Sequence, residues 1–182
     1  DQGGEVTTMA YTKLHKCTCE DKVIAKLLDE DPVVAAFWFL LLAAAPPWGR
    51  LPRDEMLLKS RVCPRSRSLT EDTVGRIVNI LSSLGLVQTY TCEWTGEECL
   101  AIRHYSRYNN AGRKYHQLGE PEFSPPPGWE PPSDLLAYLA DLRAGIRYRG
   151  KTFEGECQKF GVDPAMVPAE ASKKSRVYTQ SN

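Results

Sequence analysis

The chain has 182 residues, and its 23 basic side chains are balanced by 23 acidic ones. Its apolar, charged and aromatic fractions are those of a globular protein, which excludes an intrinsically disordered chain and a strongly basic nucleic-acid tail. The charge is uneven, because residues 61–116 carry eight basic against five acidic side chains. We therefore expect one ordinary domain with appendages, or two small ones, with a mildly basic middle third.

The amino-terminal part predicts two helices. Residues 20–28 place their apolar side chains on one face, as an amphipathic helix does. Asp31 and Pro32 are typical of a helix start, and the run 33–45 that follows is apolar nearly all round. A membrane helix needs about 20 apolar residues, so this shorter run predicts a core helix enclosed by other elements, and no membrane partner.

Residues 48–84 predict a short strand followed by two helices. Residues 48–52 are too short for a helix and predict a turn with one short strand. Residues 54–62 begin with acids and end with basic residues, which suits the helix dipole. Thr70 is typical of a helix N-cap and Gly85 of a helix end. Five apolar residues form the inner stripe of that helix: Val74, Ile77, Val78, Leu81 and Leu84.

After Gly85 the apolar residues recur at every second position, as they do in a β-strand. Residues 87–92 and 99–104 therefore predict a β-hairpin, whose tip contains Gly96 and three glutamates. Residues 105–116 are basic and aromatic, and we expect a short helix or an ordered strap there.

The carboxyl-terminal part begins with a proline-rich stretch. Six prolines lie between residues 119 and 132, so we expect a stiff, extended linker there. Ser133 is a predicted cap for a helix over residues 134–144, with Gly145 as its terminator. Residues 152–160 predict a further short helix before a polar tail.

The order helix, short strand, helix, loop, helix and hairpin is that of a winged helix-turn-helix domain, which we place at residues 31–104. The predicted fold class is mainly α (α+β), with a Pro-rich linker and a short helical carboxyl-terminal extension. The predicted division of the chain is a flexible segment at 1–19, the winged-helix domain at 20–117, the linker at 118–132, and the extension with its tail at 133–182.

Three stretches carry a resemblance to a known family: Gly-Arg-Leu-Pro at 49–52, Leu-Gly-Leu-Val at 84–87, and residues 103–108 after the hairpin. Over roughly residues 22–132 the chain resembles phage replisome-organiser and replication-initiator proteins, whose amino-terminal winged helix is DnaD-like. The resemblance implies a role in phage DNA replication, through origin DNA, self-association or replication proteins as partners. Residues 133–182 are too short to match the helical carboxyl-terminal domain with which DnaD-like proteins bind DNA.

A winged helix of this kind predicts double-stranded DNA as a partner. The third helix enters the major groove, and its outward residues Thr73, Arg76 and Asn79 are able to reach base edges. Other basic residues are candidates for phosphate contacts: Arg61, Arg65 and Arg67 before that helix, and Arg107, Arg113 and Lys114 after the hairpin.

Acidic residues favour an alternative function. Glu71 and Asp72 stand at the leading edge of the third helix, and the presumed wing tip is acidic, so both would repel phosphate. The winged helix would then be a protein-protein or oligomerisation module, and a transcriptional regulator shares the same fold. Trp94 at the wing tip is a candidate partner contact, with packing against the adjacent strand as the alternative.

Nothing in the sequence predicts an enzyme, a cofactor or a small-molecule substrate. His15, Cys17 and Cys19 do not have zinc-knuckle spacing, so we expect no metal. No nucleophilic triad or phosphate-binding glycine loop is present. No secretory signal is visible, so we expect a cytoplasmic protein with free thiols, although Cys92 and Cys99 could face each other across the hairpin.

Overall fold

The computed structural model describes residues 17–108, 119–146 and 150–169, without the side chains of Cys17, Cys19, Ser106 and Arg107. Helices and a small antiparallel sheet make up an α+β arrangement. The helices are α1 (Cys17–Glu20), α2 (Lys22–Glu30), α3 (Pro32–Ala44), α4 (Glu55–Val62), α5 (Glu71–Ser83), α6 (Tyr105–Tyr108), α7 (Ser133–Arg143) and α8 (Phe153–Phe160). The strands are β1 (Arg50–Pro52), β2 (Val87–Thr91) and β3 (Glu98–Ile102), and a 3-10 turn spans Pro164–Met166.

Side-chain caps define where the central helices begin. The carboxylates of Asp31 and Asp54 accept hydrogen bonds from the first turns of α3 and α4, and the Thr70 hydroxyl does the same for α5. At the end of α5, Gly85 has a φ of 70°, and the N–H of Leu86 donates to the carbonyl of Leu81 at 2.9 Å. This is the Schellman pattern, so the predicted boundaries of α5 are confirmed.

The predicted cap of α7 is wrong. Ser133 is the first residue of that helix, and Pro132 occupies the N-cap position without a side-chain hydrogen bond. The reason is the extended conformation of Pro132, whose carbonyl accepts the N–H groups of Leu135 and Leu136 at 3.0 Å each. The terminator is confirmed, since Gly145 has a φ of 81° and its N–H donates to Leu142.

The sheet has the order β1-β3-β2, with both pairs antiparallel. Leu100 in β3 lies opposite Leu51 on one side and Thr89 on the other. Both strands of the predicted hairpin are present, but the second ends at Ile102 rather than at residue 104. It ends early because His104 has a φ of 53°, which takes the backbone out of the extended region.

The inner face of the sheet packs against a helical core. That core contains Phe37, Trp38 and Leu41 of α3 and the predicted inner stripe of α5 up to Leu81, all nearly excluded from water. The Trp38 ring meets Tyr108 of α6 edge to face, with 5.5 Å between ring centroids.

One side of α3 departs from the prediction of an enclosed helix. Val33 is 54% exposed and Leu40 is 46% exposed, and Ala36 and Ala43 on the same side are exposed too. The high apolar content of α3 is therefore only partly explained by the core, because one side of the helix is not covered by its neighbours.

The outer face of the sheet is covered by the proline segment, residues 119–132. Phe123 of this segment is buried against Tyr90, Cys99 and Ala101 of the hairpin. The Tyr90 hydroxyl also donates to the carbonyl of Ser124 at 2.7 Å. The domain boundaries stay a prediction, but the segment expected to be an extended linker is a packed layer. Prolines suit this position because they carry no N–H that would be left unpaired.

A second apolar core joins the carboxyl-terminal helices to the turn before β1. Trp48 is buried among side chains of α7 and α8, and its ring lies 5.4 Å from that of Phe160. Leu135 and Leu139 of α7 are fully buried in the same core. The extension therefore packs on the rest of the molecule through a tryptophan that the chain supplies about 90 residues earlier.

Arg50 of β1 lies where the sheet, the proline segment and the second apolar core meet, and it is 3% exposed. Its Nη1 donates to the carbonyl of Phe123 at 2.8 Å. The guanidinium also lies 5.4 Å from the ring centroid of Trp48 and 4.8 Å from that of Trp129. Two aromatic faces and a carbonyl thus replace part of the hydration that this charge has lost.

Cys92 and Cys99 are buried free thiols on the outer face of the sheet. They are not directly opposite, because Cys99 pairs with Tyr90 in the ladder. Burial raises the pKa of Cys92, but hydrogen bonds from Ser124 and Thr95 outweigh it and lower the pKa to about 6. Burial and the neighbouring Cys92 raise the pKa of Cys99 to about 12. Cys92 therefore serves as an acceptor that binds the hairpin to Ser124.

A prediction concerns Gly49, which has a φ of 66° and whose added Cβ would lie 2.5 Å from Cγ of Tyr105. Gly96 has a φ of 75° with nothing within 4 Å, so it is a matched control for backbone strain alone. We expect Gly96→Ala to lower the free energy of unfolding by about 1–2 kcal/mol. Gly49→Ala should cost roughly 1–3 kcal/mol more, because the ring must move. Equal losses in urea unfolding would contradict the close packing of Tyr105.

A second prediction concerns Arg50, with Arg143 as its control. Both guanidiniums donate to a carbonyl at 2.8 Å and lie over an aromatic ring, but Arg143 is exposed. We expect Arg50→Met to lower the free energy of unfolding by about 2–3 kcal/mol, because a buried carbonyl loses a charged donor. Arg143→Met should cost clearly less. The measurement is urea unfolding of both variants, and a smaller loss for Arg50→Met than for Arg143→Met would count against the role given to Arg50.

Candidate nucleic-acid interface

Four arginines project from one surface, which consists of α4, the loop 63–70 and α5. Arg61 lies in the last turn of α4, Arg65 and Arg67 lie in the loop, and Arg76 lies on α5; all four are exposed. In the part of the chain that the structure describes, none of them forms an ion pair. We call these residues the arginine surface.

The loop that carries Arg65 and Arg67 is held by short-range contacts. Cys63 is buried at its start, and the N–H of Ser66 donates to the Cys63 carbonyl at 3.0 Å. The N–H of Leu69 donates to the Ser66 hydroxyl at 3.3 Å. With its backbone turned inward at these points, the loop directs both arginine side chains to solvent.

Two of the three side chains predicted to reach base edges already have partners. The Thr73 hydroxyl lies 2.9 Å from that of Thr70, and Oδ1 of Asn79 accepts a hydrogen bond from Arg53 at 3.4 Å. Arg76 is exposed and has no ion pair among the described residues. Arg76 is therefore the predicted residue of α5 that is most available to a ligand.

Arg53 is a residue of this surface that the sequence analysis missed. Its guanidinium forms an ion pair with Glu55 and reaches Asn79 across the contact between α4 and α5. No local pattern indicates the contact, because Arg53 and Asn79 are 26 residues apart.

The carboxylates of the surface belong to two groups: Glu55 in α4 is paired with Arg53, and Glu71 and Asp72 begin α5. Glu71 and Asp72 are exposed in the first turn of α5, where their negative charges interact favourably with the positive end of the helix dipole. Thr70 already accepts from the N–H of Thr73 at 3.2 Å. An approaching anion is consequently attracted to the loop and to Arg76, and repelled from the beginning of α5.

The hairpin tip is acidic and is held against the carboxyl-terminal part. Glu93, Glu97 and Glu98 are exposed, and the N–H of Glu93 donates to the Ser124 hydroxyl at 2.9 Å. Trp94 is 44% exposed, and its ring lies at the end of α8, where a Cβ added to Gly161 would be 3.2 Å from Cζ2. Its predicted partner contact stays a prediction, but part of the ring already faces the extension.

The second basic strip lies mostly outside the described residues. This holds for Arg113, Lys114 and the side chain of Arg107. Tyr105 and Tyr108, which alternate with the strip, are 6% and 4% exposed. These two tyrosines therefore belong to the helical core rather than to a ligand surface.

In the described ranges, no group of three His, Cys, Asp or Glu side chains is arranged to hold a metal ion. His15 and the side chains of Cys17 and Cys19 lie outside those ranges. Within the same ranges, no helix has the length and apolar character needed to cross a membrane.

The chain was also compared with known proteins. Protein-family models, curated proteins and solved structures yield no match to it. The resemblance to phage replication proteins accordingly stays a prediction, and the interface is defined by its own geometry.

Proposed function

We propose that this protein is a winged-helix protein that binds double-stranded DNA through the arginine surface and acts as an accessory in phage-type DNA replication. The observation that carries the proposal is the set of four exposed arginines on α4, the loop and α5, none of them ion-paired within the described chain. The element order from α3 to β3 and the strand order β1-β3-β2 support the winged-helix assignment.

The proposed binding mode places α5 beside the major groove with its outward flank leading. Arg76 reaches base edges or phosphate from that flank, while Arg61, Arg65 and Arg67 contact phosphates. Arg53 fixes the Asn79 side chain through Oδ1, so the Asn79 amide group is presented as a donor in a defined orientation.

The wing has no phosphate contact in this proposal. Its three exposed glutamates would be repelled, and its tip lies against Ser124 and the end of α8. Specificity would thus come from α5 alone. The replication role rests on the resemblance carried by residues 49–52, 84–87 and 103–108.

The DNA proposal predicts a salt-dependent affinity. If about six phosphates are contacted, the slope of log affinity against log salt should be near −5. The double variant Arg65→Glu/Arg67→Glu should flatten that slope by about 2, because two cation contacts are lost. The measurement is fluorescence anisotropy with a labelled duplex over a salt series.

The matched control for that experiment is Lys22→Glu/Lys26→Glu, which makes the same change in net charge on α2. Both lysines are exposed and lie outside the arginine surface. This control should keep most of the affinity. An affinity without salt dependence, or equal losses in the two double variants, would contradict the proposed interface.

A second candidate function, self-association, is favoured by the exposed side of α3. Val33, Ala36, Leu40 and Ala43 follow one another at spacings of three and four residues, as in a helix seam. If two copies of α3 pair antiparallel about a two-fold axis, Val33 faces Ala43 and Ala36 faces Leu40. Each of these facing pairs then combines a large side chain with a small one, which allows the two helices to pack closely.

Light scattering tests this second candidate. If α3 pairs with a second copy, the mass should rise toward a dimer with concentration, and Leu40→Asp should return the protein to a monomer by placing a charge in the seam. Met56→Asp is the control, since Met56 is 59% exposed on α4 and is not part of the proposed seam. A wild-type protein that stays monomeric at high concentration would exclude this mode of association.

A further inference from the structure

An open cleft of about 660 Å³ lies between the sheet and the proline segment. One wall consists of the beginning of β2 and the end of β3 with the turn that follows, and the other consists of residues 126–130 and Pro132. Its volume lies within the range of roughly 300–1,000 Å³ that small-molecule sites occupy. The cleft contains none of the four arginines of the arginine surface, and Ser82 near the end of α5 is the one lining residue from α4, the loop or α5.

One end of the cleft is positively charged. Arg103 and His104 are adjacent, exposed and part of the lining, and in the described chain neither side chain forms an ion pair or a hydrogen bond. The left-handed backbone of His104 is unusual for a residue other than glycine, and such conformations concentrate at binding sites. Arg50 adds a further positive charge, whereas Glu130 is the one carboxylate in the described lining.

Aromatic surface lies next to these charges. Trp129 is half-buried, and the guanidinium of Arg50 lies 4.8 Å from its ring centroid, so the ring is fixed in place. Trp48 and Tyr105 border the cleft but are nearly buried in the two cores, so Trp129 is the aromatic ring that is available to a ligand. Gln88 donates its Nε2 to the carbonyl of Pro127 at 3.2 Å, which leaves its Oε1 directed as an acceptor.

We propose that this cleft binds a nucleoside monophosphate unit, as a free nucleotide or as part of single-stranded DNA. Arg103 and His104 bind the phosphate, and the base stacks on Trp129, because a fixed aromatic ring accepts any base. Oε1 of Gln88 accepts a hydrogen bond from the base edge. Glu130 accepts one from a sugar hydroxyl of a free nucleotide, a group that a nucleotide inside a DNA strand lacks. The proposal stands apart from duplex binding, because it uses none of the same residues.

Calorimetry and tryptophan fluorescence with the full chain test the proposal. AMP should bind and quench the tryptophan fluorescence, while adenosine and inorganic phosphate should each bind more weakly. Arg103→Gln and Trp129→Leu should each weaken AMP binding by about tenfold or more. Circular dichroism should show an unchanged melting temperature for Arg103→Gln, since Arg103 is exposed.

Arg61→Gln is the matched control, because it removes an exposed arginine outside the cleft. It should weaken duplex binding and leave AMP binding unchanged, whereas Arg103→Gln should do the reverse. A short oligothymidylate separates the two sources: tighter binding than AMP identifies single-stranded DNA, and weaker binding identifies a free nucleotide. The proposal is overturned if neither probe binds, or if Arg103→Gln and Arg61→Gln weaken AMP binding equally. If the wild-type protein binds AMP but does not bind duplex DNA, the proposed function is refuted and the assignment of the cleft stands.

Discussion

The guanidinium of Arg50 is almost excluded from water, and a charge in such a place is stable only where neighbouring groups replace its hydration. Its neighbours come from two parts of the chain: Trp48 before β1, which is itself buried among side chains of α7 and α8, and Phe123 and Trp129 in the proline segment. Neither part can move away without leaving the charge poorly compensated. The sheet, the proline segment and the carboxyl-terminal helices therefore form one packed unit.

This arrangement separates two surfaces of different chemistry. The helical core on the inner face of the sheet supports α4 and α5, whose arginines face solvent. The layer on the outer face supports the cleft and holds the acidic hairpin tip beside Gly161. Because the tip is held there, it does not take part in the surface around α5. A ligand on that surface would contact the loop 63–70 and the outward flank of α5.

Local signals in the sequence predict the elements well and their long-range contacts poorly. Asp31, Thr70 and Gly85 act through neighbours within a few residues, so the helix ends that they define could be predicted. The contact of Arg53 with Asn79 and the exposed side of α3 depend on how helices pack, which no short pattern encodes. The prediction of an extended linker at the proline segment is wrong for a related reason. Six prolines indicate a stiff chain, but stiffness alone does not distinguish a linker from a layer that covers a sheet.

The 73 residues that separate Arg50 from Phe123 affect how the protein is made. The helical core and the hairpin lie within residues 17–108, so they leave the ribosome before the proline segment does. Until then Tyr90, Cys92 and Cys99 have no cover, and a nascent chain exposes an apolar sheet face. Newly made chains are thus most prone to aggregate in the interval before residues 119–132 close over the sheet.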